Sequence, residues 1–563
     1  MEQLTQRTIR ALLERSAAQF GDKTALSMIG GTSLTYSELF VLVSTIGEVL
    51  RQNGISAGDR VALLGENHPH WGAAYFAVTA MGAVVVPILP DFHSNEVRHI
   101  LRHSESKAIF VSQKHCQRIE REEYPALSSV ILLDDFSVLL PNEEKKSLTS
   151  ILERGAKNIS SFKEAALKFL RKSQNEIRPN DLAAIVYTSG TTGHSKGVML
   201  THGNIVSDAL GTVSIVSISQ SDRLLSILPL AHTYECTLGL VTALSVGASV
   251  YYLDKLPTAG VLLPAMKKVK PTIMLSVPLV IEKIYKTSIV PQLTNTFVKR
   301  TMQKISFVRK RIHGIAGKKM LKTFGGELQM FCIGGAPLAP DVEMFLREAR
   351  FPYAIGYGLT ETSPLIAGSN PQMTKFRATG KALPETLLRI DLPDPETGEG
   401  EILVKGPMVM KGYYKDTERT QEAFTQDGWL RTGDLGIIDN DGYVFIKGRS
   451  KNMILGPNGK NIYPEEIESV INEHELILES IVFQQQKKLV ARVFLDYDKI
   501  DEMLPAAHST ELKAQEKISR ILEELKVQTN EKLSSFSRLS QLIEQREPFE
   551  KTPTQKIKRH LYI

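Results

Sequence analysis

The sequence predicts an α/β protein with doubly wound sheets, and three observations lead there. Short apolar runs of strand period alternate with longer helical stretches through the N-terminal region. The apolar and charged shares, 42% and 23%, are those of an ordinary folded chain, and 563 residues suffice for a large core and at least two folding units. Alternation of this kind implies parallel sheets covered by helices.

The elements follow in order. TALSM reads as a strand, and LTYSELFVLVSTIGEVLRQNG as a helix with capping-box spacing at Thr35 and Glu38 and Gly54 beyond its end. RVALLGEN (strand), HWGAAYFAVTAMG (helix), VVVPIL (strand), SNEVRHILRHSE (helix) and KAIFVS (strand) continue the series. The most apolar run, WGAAYFAVTAMGAVVVPILP, is divided by Gly82 and interrupted by Pro87, so it is a core helix and strand rather than a membrane span. Residues 136–180 are more polar and contain the basic amphipathic piece FKEAALKFLRKSQ, a surface helix or a lid or membrane-facing excursion. PDPETGEGEILVKGP and WLRTGDLGIIDNDGYVFIKGR carry the Gly, Asp and short apolar runs of strands with tight turns. A boundary at GRSKN, about residue 450, gives domains 1–450 and 451–563.

Cys116, Cys236 and Cys332 are an odd, widely spaced set that offers neither a disulfide framework nor a zinc pattern, and a cytoplasmic location is expected. The opening MEQLTQRTIRALLERSAAQF lacks the apolar core of a signal peptide, so no export is expected.

The run YTSGTTGHSKGVMLTHGN, Tyr187 to Asn204, follows the apolar stretch LAAIV. Thr188, Ser189, Thr191 and Thr192 offer hydroxyls, while Gly190, Gly193 and Gly197 let backbone amides approach a ligand, which suits an anion. The spacing is not that of a P-loop ATPase, because His-Ser-Lys follows Gly193. Taken alone, the segment is also readable as a Gly/Thr surface turn.

Five separated pieces decide between these readings: YTSGTTGHSKGVMLTH, LPLAHTYE, GGAPL with IGYGLTETSP, the pair RTGD and KGRSKNMI, and TPTQKIKR. In this order they resemble the adenylate-forming superfamily, and most closely its long-chain fatty acyl-CoA synthetase branch. The resemblance implies a large N-terminal domain with doubly wound sheets and a β-barrel-like subdomain, and a small mobile α+β C-terminal domain. It implies ATP-dependent formation of an acyl-adenylate from a medium-to-long-chain fatty acid, then transfer to CoA, with acyl carrier protein as the alternative acceptor. An inactive acyl-nucleotide sensor is the alternative from another class, against which the intact lysine, glutamate, aspartate and arginine of the motifs argue.

Attack of a carboxylate on a phosphate sets anion against anion, so the chemistry needs a phosphate cradle and cations. By resemblance Thr188, Ser189, Gly190, Thr191, Thr192, Gly193 and Lys196 form the cradle, and Glu361 with Thr188 holds Mg²⁺, for which oxygen ligands are suited. Thr360 lies on a phosphate oxygen; Tyr357 and Gly358 face adenine opposite Gly335, Ala336 and Pro337; Asp434 and Arg449 grip the ribose. Lys556 is the catalytic lysine, preceded here by Gln555 where many relatives have Gly. Lys451 takes the hinge position, Gly459 the thiol channel, His232 the carboxylate end of the acyl pocket and Tyr234 its gate. The segments VPLVIEKIY and TLGLVTALSVGASV are expected as acyl-contacting walls.

The net charge of +6 is modest, yet Lys299, Arg300, Lys304, Arg309, Lys310, Arg311, Lys318, Lys319 and Lys322 fall in a segment without Asp or Glu. That segment is either a solvated helical face or a contact for an anionic partner: carrier protein, CoA phosphates or lipid head groups at the membrane.

Overall fold

A computed structural model describes residues 4, 6–119, 124–139, 176–188, 195–294, 305–455, 461–486, 488–503, 511–552 and 556–563. FKEAALKFLRKSQ, Ser189, Gly190, Thr191, Thr192, Gly193, Lys299, Arg300, Lys304, Gly459 and Gln555 lie outside them.

The helix Tyr36–Gln52 begins where the sequence places its cap: Thr35 Oγ1 accepts from the Glu38 amide, and the Thr35 amide donates to Glu38 Oε2 at 2.8 Å. The helix Pro69–Ala80 is apolar on every side and buries Trp71, Tyr75 and Phe76, which suits an element enclosed between layers rather than one lying on a surface. Burying each such side chain stabilises the fold by roughly 1.5–3 kcal/mol before entropy is counted.

The βα series divides between two sheets. Arg60–Leu64, Val84–Ile88, Ala108–Val111, Ser129–Leu132 and Leu182–Thr188 run parallel in an eight-stranded sheet, where Lys196–Thr201 pairs antiparallel with Leu182–Thr188 and Gly412–Tyr413 pairs antiparallel with Lys196–Thr201 at the edge. TALSM, by contrast, pairs parallel with Ser249–Tyr252 in a thirteen-stranded sheet. Local periodicity identifies a strand but carries no information about its partner, hence the split.

The parallel half of the thirteen-stranded sheet includes Arg223–Ser226, Ile273–Ser276, Met330–Ile333 and Tyr353–Gly358. Its antiparallel half, where the resemblance implies a barrel-like subdomain, continues the same hydrogen-bonded ladder from Tyr353–Gly358 to Leu365–Gly368 and on to the hairpin Leu430–Ile438 and Tyr443–Arg449. Gly358 makes this junction possible, because a Cβ there would lie 1.8 Å from the Pro364 carbonyl oxygen. Beyond residue 460, Ile477–Gln485, Lys488–Leu495 and Gln541–Gln545 form a three-stranded sheet with its own apolar cluster, packed by Pro464–Ile471 and Glu511–Lys532.

Candidate active site

The hydroxyl- and glycine-rich loop is the connection of a β-hairpin whose last rung pairs Thr188 with Lys196. The rung fixes both ends of the loop. Thr188 Oγ1 is buried and has no hydrogen-bond partner among the described residues, so a hydroxyl stands ready for a ligand oxygen or cation.

Lys196 reaches across to Glu361, which sits in the short 3₁₀ turn Thr360–Thr362 that follows Tyr353–Gly358. The Lys196 ammonium lies 2.8 Å from Glu361 Oε1 and donates to the Tyr413 hydroxyl at 2.6 Å, and that hydroxyl donates to the same Glu361 oxygen at 2.8 Å. Burial opposes ionisation of Glu361, but Lys196 and the Tyr413 hydroxyl outweigh it and hold the carboxyl below its ordinary value. Tyr413 was not among the residues expected from sequence. It arrives on the edge strand Gly412–Tyr413, hydrogen-bonded to the Lys196–Thr201 strand, and no local pattern in KGYYK marks it.

A second cluster stands on the Leu430–Ile438 and Tyr443–Arg449 hairpin. Asp434 and Arg449 oppose one another in the ladder, with Arg449 Nε 2.7 Å from Asp434 Oδ1, and the Tyr357 hydroxyl donates to Asp434 Oδ2 at 2.7 Å. Burial raises the Asp434 carboxyl, offset in part by Arg449, the Tyr357 hydroxyl and Lys556. Gly335, Ala336 and Pro337 are exposed on the loop after Met330–Ile333, with Gly335 at φ 86°.

Lys556 links the two clusters. Solvent still reaches it, yet the surrounding cleft lowers its pKa by desolvation and by repulsion from Arg449, against the attraction of Asp434 and Glu361. Its loop is pinned by the Thr552 amide bonding the Lys556 carbonyl and by the Lys556 amide bonding Thr552 Oγ1. Lys451 is exposed two residues after Arg449.

His232 also feels Lys556. Burial first, and Lys556 second, bring its pKa down to about 4, so the ring is neutral at pH 7. Its Nδ1 accepts from the Tyr234 amide at 3.2 Å, which leaves the proton on Nε2. The Tyr234 hydroxyl donates to the Cys332 carbonyl at 3.1 Å, and beside it Glu235 is 2% exposed, its carboxyl pushed up to about 8 by burial despite the Ser226 hydroxyl.

Behind Tyr234 lies a narrow apolar cavity of about 60 Å³. Ile273, Leu275, Met330, Cys332 and Ala354 line it from alternate positions of three parallel strands, while Met274, Phe331 and Ile333 face the opposite core. Leu238 and Thr242 of TLGLVTALSVGASV also line it. VPLVIEKIY contributes nothing to this lining, because the helix Pro278–Ile284 starts beyond the end of the Ile273–Ser276 strand and buries Ile281 in that opposite core.

Comparison with known proteins gives a family and a set of relatives. The model described as "AMP-binding enzyme" matches residues 13–414. The putative acyl-CoA synthetase YngI of Bacillus subtilis is 29% identical, over 85% of this chain and 85% of its own length. The long-chain-fatty-acid–CoA ligase FadD15 of Mycobacterium tuberculosis is 32% identical, over 78% of this chain and 73% of its own. Among solved structures, ATP-bound MatB from Rhodopseudomonas palustris superposes with a TM-score of 0.74 at 25% identity, covering 98% of both chains.

Proposed function

Because this chain belongs to the AMP-binding enzyme family, we propose that it is an AMP-forming ligase that joins medium-to-long-chain fatty acids to CoA. The observation that carries the reading is the convergence of Lys196, Glu361 and Tyr413 with Asp434, Arg449 and Lys556 around one cleft, next to an apolar cavity and the neutral His232.

In the first half-reaction a carboxylate oxygen of the fatty acid attacks the α-phosphorus of ATP, and the bond to the pyrophosphate oxygen breaks. Lys556 draws the two anions together, and the loop from Thr188 to Lys196 holds the departing pyrophosphate. Tyr357 flanks the adenine with Gly335, Ala336 and Pro337, Asp434 accepts from the ribose hydroxyls, and Arg449 keeps that carboxylate charged and oriented. The ionised Glu361 and the unpartnered Thr188 hydroxyl are a donor set that suits Mg²⁺, which when bound would offset phosphate charge. His232 offers Nε2–H to the substrate carboxylate.

In the second half-reaction the CoA sulfur attacks the acyl carbon, AMP leaves with the bonding pair, and the thiol proton passes to solvent. Domains 1–450 and 451–563 turn about Lys451 between the steps, and Gly459 borders the path of the thiol.

The test incubates the purified protein with Mg-ATP and fatty acids from octanoic to stearic, offering CoA and holo-acyl carrier protein separately, and reads AMP and thioesters by mass spectrometry. Acyl-CoA with AMP supports the reading. Thioester on the carrier alone replaces CoA as acceptor, and absence of any adenylate overturns it.

A further inference from the structure

We propose that the helix Ser306–Thr323 is a docking face for an anionic lipid bilayer. Between Glu282 and Glu327 the chain carries eleven Lys and Arg and no Asp or Glu. This helix is the described centre of that segment, and it is packed so that its basic side faces out. His313, Gly317 and Met320 turn inward, and Gly317 lets the helix approach so closely that a Cβ there would lie 2.5 Å from the Ala349 carbonyl oxygen. That contact fixes the helix's rotation.

The outward stripe then holds Phe307, Arg311, Ile315, Lys318 and Lys322, with Lys310 and Lys319 on its flanks. A helix face turned to water alone has no use for large apolar groups, yet Phe307 is 68% and Ile315 72% exposed. Arg311 lies over the Phe307 ring at 5.1 Å. Arg309 is consumed internally by Glu348, but among the described residues no carboxylate pairs with Lys310, Arg311, Lys318 or Lys322. The neighbouring helix Ala259–Val269 extends the character of the face with exposed Leu263, Lys267 and Lys268.

Cations interleaved with apolar side chains on a convex helix surface are the chemistry of an interfacial contact: the charges meet head groups while Phe and Ile enter the acyl boundary. Among the described residues no helix is long and apolar enough to cross a membrane, so the contact is peripheral. The helix packs on the sheet face opposite the apolar cavity, so docking holds the protein at the surface where fatty acids partition, without occupying the cavity. The purpose assigned to the contact rests on the ligase reading, whereas the contact itself does not.

The experiment is flotation of the full chain with vesicles of phosphatidylcholine alone and of phosphatidylcholine mixed with phosphatidylglycerol, at low and high salt and without nucleotide. The expected result is binding to the anionic vesicles only, weakened by salt. Each basic residue removed should lower partitioning about fivefold. Lys318→Glu with Lys322→Glu, and separately Phe307→Ser with Ile315→Ser, should therefore float at least tenfold less, while turnover of soluble octanoate stays at the wild-type rate and reports intact folding. Equal binding to neutral vesicles, or full binding by both variants, overturns the proposal. So does capture of holo-acyl carrier protein through these residues with no vesicle binding, which would give the face to an acidic protein. Flotation without any acyl-CoA synthesis sinks the ligase reading and leaves the docking face standing; synthesis without flotation does the reverse.

Discussion

Lys196 and Glu361, 165 residues apart in sequence, meet at 2.8 Å under the hydroxyl of Tyr413. The pair keeps a carboxylate ionised in a buried place and holds a lysine at the rim of the loop. Both ends of a phosphate chain would exchange partners here: the lysine toward phosphate oxygen, the carboxylate toward a cation. Tyr413 sets the spacing between them.

Replacing Tyr413 with Phe removes the shared hydroxyl and leaves the ring under the Lys196 ammonium, 4.2 Å from the ring centroid. A hydrogen bond to a charged group contributes about 1.5–3 kcal/mol, so adenylate formation should slow roughly ten- to a hundredfold. Pyrophosphate exchange measures this step, and thioester formation from synthetic acyl-AMP measures the other. Unchanged exchange would remove Tyr413 from the machinery.

Lys556→Ala should abolish adenylate formation, because Lys556 is drawn by Asp434 and Glu361 and acts on His232, which puts its charge between the two clusters. Lys451→Pro should mainly slow thioester formation, since proline fixes φ at the joint. Single-turnover assays of each half-reaction separate the two, and equal loss of both steps in both variants would count against a joint at Lys451.

Ala354 lines the cavity on the strand Tyr353–Gly358. Ala354→Leu fills part of it and should shift the preferred acid toward chains shorter by roughly two to four carbons, each buried methylene being worth about 0.8 kcal/mol. Competition among acids of graded length reads the shift; an unaltered profile would place the chain elsewhere.

Glu235 is protonated when folded, its carboxyl raised from 4.5 to about 8. The folded state therefore holds a proton that the unfolded state has lost, and the stability this contributes is complete below about pH 4.5 and lost as pH rises toward about 8. Glu235→Gln keeps the shape without the proton. The variant should gain on the wild type by a few kcal/mol across that window in urea unfolding, and parallel pH profiles would show that Glu235 is not the titrating group.

The alternating elements were readable because each one writes its own period. The Thr35–Glu38 cap, the Pro69–Ala80 helix and the 430–449 hairpin stand where their local patterns put them. Pairing was not readable: TALSM and RVALL look alike and enter different sheets, since partner choice depends on distant strands. The site divides in the same way. Glu361, Asp434 and Lys556 lie in motifs, while Tyr413 matters only through contacts made across 52 and 217 residues. The cavity lining likewise comes from Ile273, Met330 and Ala354, whose shared face exists only once the sheet has formed. The Tyr234–Val241 segment winds as a π-helix, which no apolar pattern announces.

The rung formed by Asp434 and Arg449 is also where the ladder stops; the Ser450 amide makes one more bond, to the Gly433 carbonyl, before the chain departs. If the C-terminal segment turns about Lys451 as proposed, the residue assigned to hold the sugar would sit beside the pivot of an arm that carries Lys556. On that proposal the grip on the sugar would be the part of the first site displaced least when the arm turns, so the adenylate would stay held while Lys556 moves away, and a tether fastening residue 451 to the hairpin would stall thioester formation while sparing adenylation.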